Sequence, residues 1–460
     1  MTPTRIVFLA LAAVLVASRL CHVHILWEGD TLPLAAAGQM LLHGKTLYRD
    51  IWFDKPPLTT LFYLLCGAHP GWPLRLLDAA YAFLACWIAY RFARDLWSER
   101  EGLWAAGLLG FFLTFDLPAA VIPVPSDLLM LAPHLAAVWM AARRRPFWSG
   151  VLAGVAFWVS PKGVLVLAVC ALWDVAGIAW IAAGFAAAGA VACAWLWGAG
   201  ALGAFWDEVW VWGRLYAGST FLEHPVRNGI LRTLNWMGFH VAIVIAAGVF
   251  LCKGDRRFRW IAWLVISVAG VSAGMRFFPR YYFQLLAVVV MMAARGFPLI
   301  GRRREFVALL LLIPLTRFGP TYLTALTNPA WRDTEMDHDS RAVSELVVQA
   351  SKPGDTLFVW GYRPEIFTYT GLPAATKYLD SQPLTGVPAD RHLTQSEPVE
   401  TAEARARRIE LARSRPTFIL DGLGLFNPRL AIGNYAELRA WFQHYRPIGR
   451  TGETVIYRRE

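Results

Sequence analysis

The sequence predicts an all-α polytopic membrane protein of about eleven transmembrane helices, with interfacial helices in its first outer loop, followed by a small C-terminal α/β domain. Three observations carry that expectation. The 460 residues are 57% hydrophobic and only 17% charged, whereas soluble domains run near a quarter charged. The apolar residues fall in blocks long enough for the about 20 residues per helix that cross a hydrocarbon core of roughly 30 Å. From about residue 325 those blocks give way to alternating helix-like and strand-like patterns. Repeated helical blocks also exclude an outer-membrane barrel, whose strands would alternate over ~10 residues.

The first block, RIVFLALAAVLVASRL, is long and no small-x-small cleavage site leads from it into an ordinary secreted domain, so it reads as a retained helix that leaves the membrane near Trp27. Basic clusters at 143–145, 253–259 and 302–304, with a sparser one at 90–101, mark the cytoplasmic side. Between those pins the crossings come in even numbers. The trace then runs through 74–92, 102–118 and 127–142, and through 147–160, 163–177 and 178–200. After a large outer loop at 205–235 it continues through 236–252, 258–275, 281–298 and 305–319. The N-terminus lies inside and the tail outside, as in a bacterial inner membrane, with domains at 1–320 and 321–460. Segment 56–71, PPLTTLFYLLCGAHPG, is too short to cross and parity leaves no crossing for it. It reads as an interfacial helix along the outer face.

In the tail, a helix, a Pro-Gly-Asp turn and the apolar run TLFVW are followed by a second helix and the buried run PTFIL. A hairpin-like pair around Thr451 and Gly452 closes the chain. No Gly-x-Gly-x-x-Gly pattern follows these strands, so a nucleotide cradle is not expected. The six cysteines all sit in or beside apolar segments and make neither a disulfide framework nor a zinc spacing. The net charge of +11 resides in the membrane part, because basic and acidic side chains balance in the tail. Nucleic acid is therefore not an expected partner; membrane lipids are.

The polar residues collect on the outer face of this trace. Glu28, Asp30, Arg49, Asp50, Asp54 and Lys55 crowd the first loop; Asp116, Asp127 and Lys162 follow. The large loop adds Asp207, Glu208, Arg214, Glu223, His224 and Arg227, and the stretch GMRFFPRYYFQ adds Arg276 and Arg280. Charges at membrane depth are costly and mark functional cavities. Asp127, at a helix start, also suits an N-cap.

An acidic residue just after the first helix, then GKTLYRDIWFDKPPL and a short interfacial segment, resembles the GT-C superfamily of membrane glycosyltransferases. More narrowly it is similar to the bacterial branch containing the lipid A aminoarabinose transferase, and more distantly to the protein O-mannosyltransferases. GWPLRLLDAAYAF with Arg75, RFFPRYYFQLL and PGDTLFVWGYRPEIFTYTG are similar to other stretches of that family. The resemblance implies transfer of a sugar from a polyprenyl-phosphate carrier to a glycan, lipid or protein hydroxyl on the extracytoplasmic face. It places Asp30 at the family's catalytic acidic position, Lys55 at the lysine that meets the lipid phosphate, and Asp127 at an acidic position of the second outer loop. The chain departs from the pattern where Thr31 follows Asp30 in place of a second acid, and where Arg280 stands in place of a frequent histidine.

The chemistry of such a site can be stated independently. Breaking the C1–O bond builds negative charge on the leaving phosphate, which preorganised cations stabilise. Lys55, with Arg49, Arg276 or Arg280, suits that task, and Pro56 and Pro57 leave Lys55 at the mouth of the interfacial helix. Asp54 and Asp127 complete the expected substrate-binding set. Asp30 is the candidate general base, and a single base opposite the leaving group implies inversion. A covalent glycosyl-enzyme would need a second close carboxylate, a role that stays open for Asp54. A divalent metal is not required by the sequence: the candidate ligands Glu28, Asp127 and His224 have no spacing that marks one. The rival reading is a transporter or flippase of a lipid-linked glycan, against which no internal repeat is visible.

Overall fold

The computed structural model describes residues 3–218, 223–255, 257–328, 334–387, 393 and 395–460. The membrane part begins with α1 (Pro3–Leu20), α2 (Glu28–His43), α3 (Leu58–Tyr63), α4 (Trp72–Leu96) and α5 (Glu99–Phe112). It continues with α6 (Pro118–Val121), α7 (Ser126–Leu129), α8 (Leu131–Ala142), α9 (Pro146–Val159), α10 (Gly163–Trp173) and α11 (Ile178–Gly198). The short α12 (Leu202–Phe205) and α13 (Trp212–Gly218) are joined by a π-helical turn, Trp206–Val211. Then come α14 (Pro225–Phe239), α15 (Val241–Lys253), α16 (Arg257–Ser272), α17 (Phe283–Ile300), α18 (Arg304–Leu309) and α19 (Leu312–Thr327).

Among the described residues, Trp72–Leu96, Val175–Gly198, Arg257–Met275 and Pro279–Thr327 are long and apolar enough to cross a membrane. The pair α14 and α15, bent by 92°, makes a fifth if counted as one span. Ser126–Ala142, Pro146–Val159 and Gly163–Trp173 are apolar but shorter. Helix length alone thus supports fewer crossings than the eleven of the charge trace. Prolines explain several of the early stops, since proline removes an amide donor and drives the preceding residue out of the helical region: Ser160, before Pro161, is extended at φ −149° and ψ 136°. Within the long stretch Pro279–Thr327, α17 ends at Gly301, whose φ of 72° glycine adopts without penalty.

Glycines also set a close helix approach. Gly150 and Gly154 form a small-xxx-small face on α9, and α11 meets it with Gly184. A Cβ on Gly150 would lie 2.0 Å from the Ile181 carbonyl oxygen, and one on Gly184 would lie 2.0 Å from that of Phe147. Such backbone contact is how helices associate where lipid is as apolar as leucine.

Two segments expected as loops are helical instead. Residues 28–43 form α2, which ends at Gly44 with φ 64°. Segment 56–71 is helical as expected, as α3 and the 3-10 turn Leu64–Cys66. The large loop expected over 205–235 is largely helical as well, from α12 through most of α14.

The C-terminal region carries α20 (Glu335–Ala350), β1 (Leu357–Trp360), α21 (Glu365–Thr370), α22 (Gln382–Thr385), α23 (Ala402–Leu411), β2 (Phe418–Asp421), α24 (Ala436–Phe442), β3 (Tyr445–Arg450) and β4 (Val455–Arg459). The strand order is β1-β2-β4-β3; β1 and β2 are parallel, so their connection needs a crossover, here helical, whereas β3 and β4 form the expected antiparallel hairpin. Val343 and Val347 of α20 pack on Leu357, Val359, Phe418, Leu420 and Ile456. The same buried cluster contains Leu32, Ala35 and Ala36 of α2 and Leu47, Tyr48, Ile51 and Phe53. Hydrogen bonds reinforce this shared core. The Gln39 amide donates to the Leu372 carbonyl at 2.9 Å and accepts from the Ala374 N–H at 2.8 Å, and the Trp52 N–H donates to the Lys377 carbonyl at 2.7 Å. The sheet-bearing tail therefore holds the first outer segment in place.

Candidate active site

A cavity of about 260 Å³ opens where the start of α2, residues 53–59, the start of α7, the 160–162 turn, α13 and the 273–281 turn converge, closed over by Tyr362 and Gln382 of the C-terminal region. Its walls bring together the cations Lys55, Lys162, Arg276 and Arg280, the acids Glu28, Asp54 and Asp127, and the rings of Phe53, Tyr216, Tyr281 and Tyr362.

Lys162 is presented by the Ser160-Pro161-Lys162 turn, and the turn is tight because residue 163 is glycine: a Cβ there would meet the Phe157 amide nitrogen at 2.2 Å. The Lys162 ammonium lies 2.9 Å from Asp127 Oδ1 and 3.3 Å from the centroid of the Tyr281 ring. Burial lowers its pKa, an effect Asp127 opposes and the charges of Arg280 and Lys55 reinforce. The Arg280 Nε sits 4.0 Å from Asp127 Oδ2. Arg276 stacks 3.3 Å from the Tyr216 ring centroid and donates to the Tyr216 carbonyl. Lys55 pairs with Asp54, faces the Tyr216 ring at 5.5 Å, and has its carbonyl tied by the Tyr48 hydroxyl at 2.7 Å.

Asp30 is placed differently from the expectation. It is fully buried and does not line the cavity. Its oxygens accept from Arg75 Nη1 at 2.9 Å, the Tyr63 hydroxyl at 2.7 Å and the Val124 N–H at 3.1 Å. Arg75, also fully buried, pairs with Asp78 as well. The triad fastens the first turn of α2 to α4 and to the chain at Val124. Residues two apart on a helix do not share a face, so with Asp30 turned inward it is Glu28 that lines the cavity.

Arg49 also lies away from the cavity: it is exposed and paired with Asp50 at 2.9 Å. His224 lines a separate surface depression with Pro225, Val226 and Arg227. Of the candidate metal ligands, Glu28 and Asp127 line the cavity, but the Asp127 oxygens face Lys162 and Arg280. Among the described residues no group of three His, Cys, Asp or Glu side chains gathers to hold a metal ion. That donor set does not fit a divalent cation.

Several residues of the site carried no strong signal in the sequence. Lys162 was legible only as an outer-face charge, and Tyr362 and Gln382 arrive from the far end of the chain. Two buried carboxyls stand just behind the walls. Asp380 accepts from the Gln382 N–H at 2.8 Å; burial raises its pKa to about 7, with Asp54 raising it and Lys55 lowering it. Glu208 accepts from the Phe53 N–H at 2.9 Å and lies 3.7 Å from Lys377. Burial raises its pKa to about 8 against the lowering effect of those partners.

No family model and no curated protein sequence matches the chain. Solved structures do. The chain is similar to ArnT from Cupriavidus metallidurans bound to undecaprenyl phosphate, with a TM-score of 0.63 at 13% identity over 99% of this chain and 98% of that one. The apo state of the same protein matches with a TM-score of 0.63 at 13% identity, over 98% and 97% of the two chains. The oligosaccharyltransferase AglB from Archaeoglobus fulgidus, in complex with an inhibitory peptide and a dolichol-phosphate, matches with a TM-score of 0.51 at 12% identity over 99% of this chain and 74% of that one. At such identities the likeness is one of fold alone, a fold the chain shares with ArnT and with AglB.

Proposed function

We propose that the protein is a glycosyltransferase that moves a sugar from a polyprenyl-phosphate carrier to a hydroxyl acceptor on the extracytoplasmic face of a bacterial inner membrane. The observation that carries this reading is the set of four cations, Lys55, Lys162, Arg276 and Arg280, around one small cavity that also holds Glu28. Three acids balance them only in part, so the cavity suits an anion. Tyr216 and Tyr281, already stacked against cations, offer ring faces of the kind sugars use. In the reaction the acceptor oxygen bonds to C1 of the sugar, the C1–O bond to the carrier breaks, and the carrier phosphate leaves with the electron pair. The acceptor proton passes to Glu28, the carboxylate on the cavity side of α2, and the configuration at C1 inverts. The buried triad of Asp30, Arg75 and Asp78 then positions Glu28 and takes no proton. Asp54 orients Lys55, so the nucleophile role left open for it is not needed. The orientation, with the N-terminus cytoplasmic and the sheet outside, rests on the basic clusters at the opposite ends of the helices.

The test is a transfer assay in reconstituted membranes with a panel of polyprenyl-phosphate sugars, following loss of the sugar from its carrier. Wild-type turnover of one donor, lost in Glu28→Gln and weakened in Lys55→Ala, supports the assignment and names the sugar. No turnover of any donor, together with movement of a labelled lipid-linked sugar across the bilayer, would make the protein a flippase instead.

A further inference from the structure

The turn that carries two of the four cavity cations has an unusual backbone. Gly274, Met275 and Phe277 all have positive φ, at 73°, 53° and 51°. For a residue as bulky as phenylalanine the left-handed region is a real outlier, and such conformations persist only where the surroundings over-determine them. Here the surroundings are α14. Its Arg232 Nη1 donates to the Arg276 carbonyl at 2.8 Å and reaches that of Phe277 at 3.4 Å. The Phe277 ring occupies the space over Gly229, where a Cβ would lie 2.4 Å from it. One turn further along, Thr233 and the Tyr282 hydroxyl are 2.9 Å apart, and Trp236 stacks on Tyr282 at 5.5 Å. Neither Gly229 nor Arg232 lines the cavity.

We propose that Arg232 is a positioning residue, which clamps the left-handed turn onto α14 with Phe277 seated over Gly229 and so aims Arg276 and Arg280 at the leaving phosphate of the donor. The inference rests on the donor reading above and deepens it. Gly229 sits in a helix interior, where alanine is intrinsically favoured. Its presence is explained by the ring it accommodates. A guanidinium is suited to the clamp, because its planar end is rigid and holds one nitrogen, Nη1, between two adjacent carbonyls, whereas a lysine ammonium is a point charge on a flexible stem.

The experiment uses the full-length protein in bilayers and measures KM separately for donor and acceptor in Arg232→Ala, Arg232→Lys and Gly229→Ala. Misaiming two phosphate-facing arginines is expected to raise the donor KM by about tenfold in Arg232→Ala, the equivalent of one good hydrogen bond, with the acceptor KM unchanged. Arg232→Lys recovers part of that loss. Gly229→Ala, whose Cβ displaces the Phe277 ring, raises the donor KM and leaves the acceptor KM unchanged, a split that a purely structural role would not produce. A folded Arg232→Ala with wild-type donor KM, or equal rises in both KM values, overturns the proposal. If Arg232→Ala does not fold, Gly229→Ala decides on the same two outcomes. If wild type consumes no lipid-linked donor, it is the donor reading that fails.

Discussion

Asp30→Asn separates a base from a brace. In the structure Asp30 is one of two carboxylates on a fully buried arginine. Removing one partner of a buried ion pair costs about 3–5 kcal/mol. Asp78 stays in place and still neutralises Arg75, so the lower end applies, at about 3 kcal/mol. The Asn oxygen can still accept from Tyr63 and Val124, but its NH2 group would face the Arg75 guanidinium donor to donor. The assay is thermal unfolding in detergent followed by intrinsic fluorescence of the 22 tryptophans, run beside the transfer assay well below the midpoint. Asp30→Asn should lower the midpoint by several degrees, Asp78→Asn should do much the same, and both should keep measurable turnover while folded. Glu28→Gln should leave the midpoint unchanged and cut turnover by about 10²–10⁴-fold, the usual contribution of a general base. An Asp30→Asn protein with a wild-type midpoint and no turnover would refute this reasoning, because Asp30 would then have to act in the reaction itself.

Other perturbations follow from the same geometry. Lys162→Met leaves Asp127 with only the more distant Arg280, and should raise the donor KM by about tenfold through loss of a charge-assisted contact, measured in the same assay. Glu208 titrates near 8 in the folded protein against 4.5 as a free group, so between those values unfolding releases a proton. Stability should therefore fall as pH rises through that window, by at most about 1.4 kcal/mol per pH unit, and thermal melts of Glu208→Gln should show a flatter slope. Gly150→Leu would drive a side chain into the Ile181 carbonyl and should abolish the monodisperse peak in size-exclusion chromatography, whereas Gly189→Leu, with open space around it, should not.

What the sequence made legible was the chemistry of the outer face more than its geometry. Lys55, Asp54, Asp127, Arg276 and Arg280 could be gathered because basic clusters orient the chain, and orientation sorts loops by side. The inward turn of Asp30 could not be read in the same way, since Arg75 lies 45 residues further on and a pairing at that distance leaves no local pattern. What was available is the helical rule that Glu28 and Asp30 must face apart; the structure supplies which faces where. The strands of the tail were legible from their short apolar runs between turn residues. Helix α2 was not, because the charges crowded into this stretch read as loop, and one face of the helix is covered only by docking on the tail. The shorter helices escaped a count by charge parity for a related reason: a proline break changes where a helix stops without changing which side its charges lie on.

The hydrogen bonds between Gln39 and residues 372 and 374 join groups 333 and 335 positions apart, and that separation has a consequence in time. At roughly 5–20 residues per second of synthesis, the first outer segment waits roughly 15–70 s for the strands that hold it. During that interval α2 and the stretch bearing Lys55 stand with the apolar faces of Leu32, Ala35 and Ile51 uncovered. A segment that is made first and covered last reaches its final packing only when the whole chain has been made. A chain that stops early, after its helices are inserted but before β1, would occupy the membrane and present the motif while lacking the surface that shapes it.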